Sequence, residues 1–103
     1  MDRESLTSIK TPVVQRSNYV MYLEFYVGMH WFHTDVFKWT PAIKTKYLED
    51  LNLLQHLVGV PLVALIEEDN KKLAKFAKTI GFNKMDMLNL NNGKVGFVYA
   101  RSL

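Results

Sequence analysis

The chain has no cysteine, only three prolines and five glycines, and no strong charge of either sign. The first absence excludes a disulfide framework and a thiol nucleophile. The polar start MDRESLTSIK lacks the apolar stretch of a secretory leader, so a cytoplasmic or particle-associated protein is expected rather than an exported one. Long hydrophobic runs are missing as well. The longest, Leu57 to Ile66, holds ten residues and is interrupted by Gly59 and Pro61, well short of the roughly 20 needed to span a bilayer. Net charge is +3, too small by itself to declare a polyanion-binding protein. What remains is a chain of 103 residues that is 49% apolar. That is material for one domain with one core.

Residues 1–18 carry no sustained period and include Thr11-Pro12, which reads as an irregular arm with room for a short edge strand near Val13-Val14. Residues 19–103 form the domain proper. Seven of the thirteen aromatic residues fall between Tyr19 and Phe37, in a stretch rich in strand formers. Val27-Gly28 is the turn signal inside that stretch, so two antiparallel strands are expected to meet there. Both faces of the pair look apolar, which predicts a sheet covered on both sides.

Thr40-Pro41 is a helix start, since a Thr hydroxyl accepts an orphan amide and Pro fits the first helical position. Ile43, Tyr47, Leu51, Leu54 and Val58 repeat at helical spacing up to Gly59, which predicts a helix over 41–58. A buried strand over Pro61 to Ile66 follows. Asp69 or Asn70 then caps a second helix with Leu73, Phe76, Ala77 and Ile80 on one stripe, ended by Gly81. Its outer face carries lysines. Met85 to Leu90 and Val95 to Arg101 flank Asn91-Asn92-Gly93, where Asn-Gly predicts a tight primed turn. The fold class is therefore α/β, with a mixed sheet of about five strands and two main helices.

An Asn directly after a buried strand, followed by an amphipathic helix closed by Gly-Phe, resembles the acyl-coenzyme A site of the GNAT superfamily of N-acetyltransferases. Here the matching positions are Asn70, Leu73, Ala77 and Gly81-Phe82. The resemblance covers Tyr19 to Arg101, the C-terminal two thirds of that fold, in which two parallel strands splay apart around acetyl-CoA. It implies Lys38, Thr40, Ala42, Ile43, Lys44 and Asn70 as cofactor-binding positions. Three departures stand beside it. The family's general-acid Tyr is replaced by Ala77, which has no titratable group. Its glycine-rich pyrophosphate turn is replaced by Phe37-Lys38-Trp39-Thr40-Pro41-Ala42-Ile43, which has no glycine and loses one amide at Pro41. Eighteen residues also leave no room for the family's N-terminal helices, which wall the acceptor pocket. The ending Lys78-Thr79-Ile80-Gly81 is similar to that of short GNAT-like phage proteins, including internal virion proteins of short-tailed phages.

Glu24 interrupts an otherwise apolar strand, where a buried carboxylate without a partner would cost several kcal/mol. It is the first choice for a base. His33 and Asp35 share a strand face and could form an oriented base of their own. His30 and His33 lie three apart and point to opposite faces of a regular strand, so no metal site is expected. Trp39 beside Lys38 has the makings of a stacking platform for a nucleobase, with core or interface packing the plainer reading. The lysine stripe Lys71, Lys72, Lys75 and Lys78 reads as a solvated face, and a nucleic-acid role for it would show as steep salt dependence. The expected function is a GNAT-like, phage-type protein with weakened or lost acetyl-CoA chemistry, acting through a protein partner or self-association in the host cytoplasm or the virion. The alternative is an active N-acyltransferase. Neither nucleic acid, membrane nor metal is an expected partner.

Overall fold

Residues 9–102, the part of the chain described by the computed structural model, build one mixed sheet with two helices. The elements are β1 (Thr11–Gln15), β2 (Tyr19–Tyr26), β3 (Met29–Val36), α1 (Pro41–Val58), β4 (Leu62–Glu67), α2 (Lys71–Thr79), β5 (Asn83–Asn89) and β6 (Val95–Arg101). The sheet has six strands in the order β1-β2-β3-β4-β6-β5, one more than expected. The extra strand comes from the supposed arm, which is described only from residue 9. Pro12 has no amide to give a ladder, yet β1 tolerates it because β1 is an edge strand with an irregularity between Pro12 and Val14.

Helix α1 has the bounds its pattern predicts. The Thr40 hydroxyl accepts from the Ile43 amide at 3.1 Å, and the Gly59 amide donates to Gln55 at 2.9 Å. Asn70 caps α2 by accepting from the Leu73 amide at 3.1 Å. The far end of α2 is a Schellman turn, with Phe82 donating to Ala77 and Gly81 to Lys78. Gly81 takes φ of 101°, a conformation that side-chain-bearing residues rarely adopt.

Both helices pack on the same face of the sheet. Tyr19 and Met21 of β2, Phe32 of β3, Leu62 and Ile66 of β4 and Tyr99 of β6 form one cluster with Tyr47, Leu51, Ala77 and Ile80 from the helices. Tyr47 sits at the centre, edge-on to Tyr19 at 4.8 Å and to Phe76 at 5.9 Å, with its hydroxyl donating to Thr34. The sheet is thus covered on one side, not two. The other face carries Tyr22, Glu24, His33 and Asp35, and its apolar content is the β-branched and aromatic bias of strands rather than a second core.

The tail hairpin also departs from its expected form. Of Asn91, Asn92 and Gly93, only Gly93 has positive φ, at 80°. Gly93 donates to Leu90 and Leu90 to Lys94, giving a three-residue loop with glycine in the left-handed position instead of a two-residue primed turn. The β2–β3 turn is of the primed kind. There Val27 is held at φ of 52° ahead of Gly28 at 73°.

One polar group anchors the hairpin layer to α1. Asp50, 7% exposed, receives Arg16 through two hydrogen bonds at 2.9 and 3.0 Å and the Tyr19 hydroxyl at 2.6 Å. Arg16 holds its carboxyl below the ordinary value. A buried carboxylate is tolerable on these terms because its lone pairs are filled.

Candidate functional site: a cleft between diverging strands

Strands β3 and β4 run parallel but pair only at His30 with Leu62 and Trp31 with Val63. Beyond that point they separate. The inner edges of residues 32–36 and 64–67 then face each other across a gap, each strand being laddered on its outer side to β2 or β6. Backbone amides and carbonyls that leave a ladder need other partners, so such a gap offers an extended ligand two strand edges.

The gap opens as a cleft of about 410 Å³ running from the core face, at Phe32 and Ile66, to the helix-free face at Tyr22, His33 and Asp35. Leu73, Phe76 and Ala77 of α2 roof it. A second cavity of about 490 Å³ adjoins it, sharing Thr34, Leu73 and Phe76, and reaches Lys38, Trp39, Asn70 and Lys72 at the start of both helices. Together they make up a channel whose shared wall is Thr34, Leu73 and Phe76, with Lys38 and Lys72 at its mouth. Ligands gather at the carboxyl ends of parallel strands because that is where strand edges and helix N-termini converge.

Two polar pairs stand where the channel meets the helix-free face. His33 Nε2 lies 2.7 Å from Glu24 Oε1, and the Tyr22 hydroxyl donates to Asp35 Oδ2 at 2.8 Å. Tyr22 and His33 are direct cross-strand partners, so the two pairs run as parallel diagonals between neighbouring strands. The Asp35 bond raises the Tyr22 hydroxyl above its ordinary value. His33 and Asp35 share a face as expected, but His33 is oriented by Glu24 and not by Asp35. His30 is on the opposite face, tilted against Phe25 at 4.9 Å. Among the described residues no group of three or more His, Asp or Glu is placed to hold a metal ion.

The expected cofactor positions are only partly brought together. Lys38 and Asn70 line the channel mouth, but Thr40, Ala42, Ile43 and Lys44 do not. The Thr40 hydroxyl is committed to its cap. Ile43 and Lys44 give their amides to Thr40, and Pro41 has none, so Ala42 supplies the one first-turn N–H left to an anion among the described residues. A pyrophosphate therefore finds no amide cradle at α1. Lys72, in the mouth, and Tyr22, in the cleft, are additional lining residues. Tyr22 is legible from the turn, because a two-residue loop at Val27-Gly28 places it opposite His33.

In comparisons with known proteins, no family model, curated protein or solved structure matches this chain. Among the described residues no helix is long and apolar enough to cross a membrane.

Proposed function

We propose that the protein is a GNAT-like domain that retains a cleft for an acyl thioester of coenzyme A while having weakened or lost transfer chemistry, and that it works by binding another protein, as a particle component of phage type. The observation that carries this reading is the parallel pair β3–β4, joined at two residue pairs and then parted around a cleft. The strand order from β2 to β5 and the single-face placement of α1 and α2 are consistent with it. Loss of chemistry is supported by Ala77 in the roof, where a proton donor is wanted, and by the missing amide cradle.

Protein binding is supported by apolar side chains left in water. Phe25, Tyr26, Val27 and Met29 crowd the tip of the β2–β3 hairpin, and Leu65 lies exposed on the helix-free face beside the cleft. Apolar surface gathered in this way commonly marks an interface.

A second reading, an active N-acyltransferase, is favoured by one observation: the His33–Glu24 and Tyr22–Asp35 pairs both reach the cleft. In it, acetyl-CoA would supply the acyl thioester, His33 oriented by Glu24 would take the acceptor amine's proton, and Tyr22 would be the proton donor that Ala77 is not.

A thermal-melting titration with acetyl-CoA at millimolar concentration tests the cleft, since a ligand that binds only the native state raises Tm. The first reading expects a rise in Tm with no thiol released when amines are added. Thiol release would establish the second, and an unchanged Tm would remove both. Light scattering of the free protein adds a check on the interface: a strict monomer with no captured partner contradicts the protein-binding role.

A further inference from the structure

The lysines that look like an ordinary solvated helix face in the sequence are gathered by the fold into a cleft. Lys71, Lys75 and Lys78 project from one side of α2, and Lys84 reaches in from β5, around a cavity of about 480 Å³ floored by Phe97 and Tyr99. The fourth cation belongs to a different element. Lys84 Nζ rests 4.0 Å above the centre of the Phe97 ring, which fixes it over the floor.

None of these four lysines makes an ion pair among the described residues. The acids nearby do little to offset them. Glu67, on the rim, is already paired with Lys94 at 3.3 Å, and Lys94 also holds Asp69 at 3.2 Å. Glu68 is the remaining acid on the rim. Four lysines against the rim acids Glu67 and Glu68 leave a net +2 on this lining, out of +3 for the whole chain. Like charges held together with too few counter-charges disfavour the folded state, and an anionic ligand relieves that repulsion.

We propose that this cleft binds the phosphodiester backbone of nucleic acid without reading its sequence. Three features select that chemistry. Lys71 to Lys78 spans seven residues of helix, or about 10 Å at 1.5 Å per residue, a row of cations suited to a repeating anion. The cations are all lysines, point charges on flexible stems without the planar fork that reads base edges or grips a single phosphate in two bonds. The aromatic floor is unsuited to base stacking, because Tyr99 is buried and Lys84 covers Phe97. The backbone is therefore contacted and the bases are not. This site is separate from the thioester channel, with which it shares no lining residue.

Fluorescence anisotropy with a labelled single-stranded oligonucleotide and with the corresponding duplex, across a salt series, tests the proposal. Affinity is expected to fall with salt along a log–log slope of up to about −3.6 for duplex and about −2.8 for single strand, from four neutralised phosphates. The double variant Lys75→Gln with Lys78→Gln should flatten the slope by about two phosphates. The matched double variant Lys44→Gln with Lys46→Gln, which removes the same charge elsewhere, should leave it unchanged. Circular dichroism confirms that both variants are folded. Absence of binding at low salt, an equal effect of the two double variants, or equally tight binding of polyglutamate would each overturn the proposal. Failure here leaves the acetyl-CoA titration untouched, and the converse also holds.

Discussion

His33 and Glu24 are diagonal neighbours on adjacent strands, and their side chains meet at 2.7 Å on the face of the sheet that no helix covers. Register makes the meeting possible. Tyr22 stands opposite His33 and Glu24 opposite Trp31, so all four side chains emerge on one face, where Tyr22 and His33 line the cleft. A double-mutant cycle on Glu24→Ala and His33→Ala should give a coupling of about 1 kcal/mol in urea unfolding. A coupling of zero would show that the pair is not formed in solution.

The Asp50 cluster predicts how stability depends on pH. Hydrogen bonds from Arg16 lower the Asp50 pKa from 3.8 in the folded state. The corresponding stabilisation is present above that unfolded value and is lost as pH falls through the lower folded one. Arg16→Gln should therefore flatten the acid limb of the Tm profile below about pH 4, where an unperturbed Asp titrates. On the alkaline side, burial followed by the Asp50 bond raises Tyr19 from 10.0 to about 12. Stability should hold below pH 10.0 and decline towards 12 as the unfolded chain ionises first. Tyrosinate absorbance that rises at pH 10 without any fall in Tm would contradict the placement of Tyr19.

Gly81 closes α2 at a point where another part of the chain comes close. A Cβ built there would lie 2.9 Å from Arg101 Nε, and φ is already 101°. Arg101 has little freedom to withdraw, since its guanidinium donates to Ile80 O, Gln55 Oε1 and Asn52 Oδ1 and so ties β6 to both helices. Gly81→Ala should destabilise the protein by about 1–3 kcal/mol in chemical denaturation. An unchanged midpoint would mean that Arg101 is not locked in this way.

Val27 makes the opposite prediction. A β-branched residue at φ of 52° is strained, and Asn or Gly is what a primed turn prefers. Val27→Asn should stabilise the fold by about 0.5–1 kcal/mol, raising Tm by roughly 2–8 °C in a domain of this size. The same substitution removes an exposed apolar side chain from the hairpin tip, so it should weaken any interface built there. A lower Tm would contradict the assigned turn.

Much of the scaffold is legible in the sequence because it is written in local chemistry. The Thr40-Pro41 cap and Gly59 stop delimit α1, and Val95–Arg101 is bounded by the loop that Gly93 closes. β1 is less legible, since Pro12 argues against a strand unless the strand is known to lie at an edge. In the candidate site, Glu24, His33 and Asp35 stand out as polar residues among strand formers, and Lys38 and Asn70 lie at the channel mouth. The pairing of His33 with Glu24 follows from the turn register, not from spacing within β3. What the sequence does not display is long-range. Arg16 and Asp50 are 34 residues apart, and Lys84 joins the α2 lysines only because the order β4-β6-β5 folds that strand back beside them. The divergence of β3 and β4 after two residue pairs is likewise written in no local pattern.

The most direct test of the cleft is an amide NMR titration of the folded protein with coenzyme A. Shifts are expected to concentrate at Thr34, Asp35, Ala64, Leu65, Leu73 and Ala77, on the inner strand edges and the roof. Shifts confined to the lysines of the outer cleft, or none at millimolar ligand, would show that the gap between the diverging strands is not a coenzyme site.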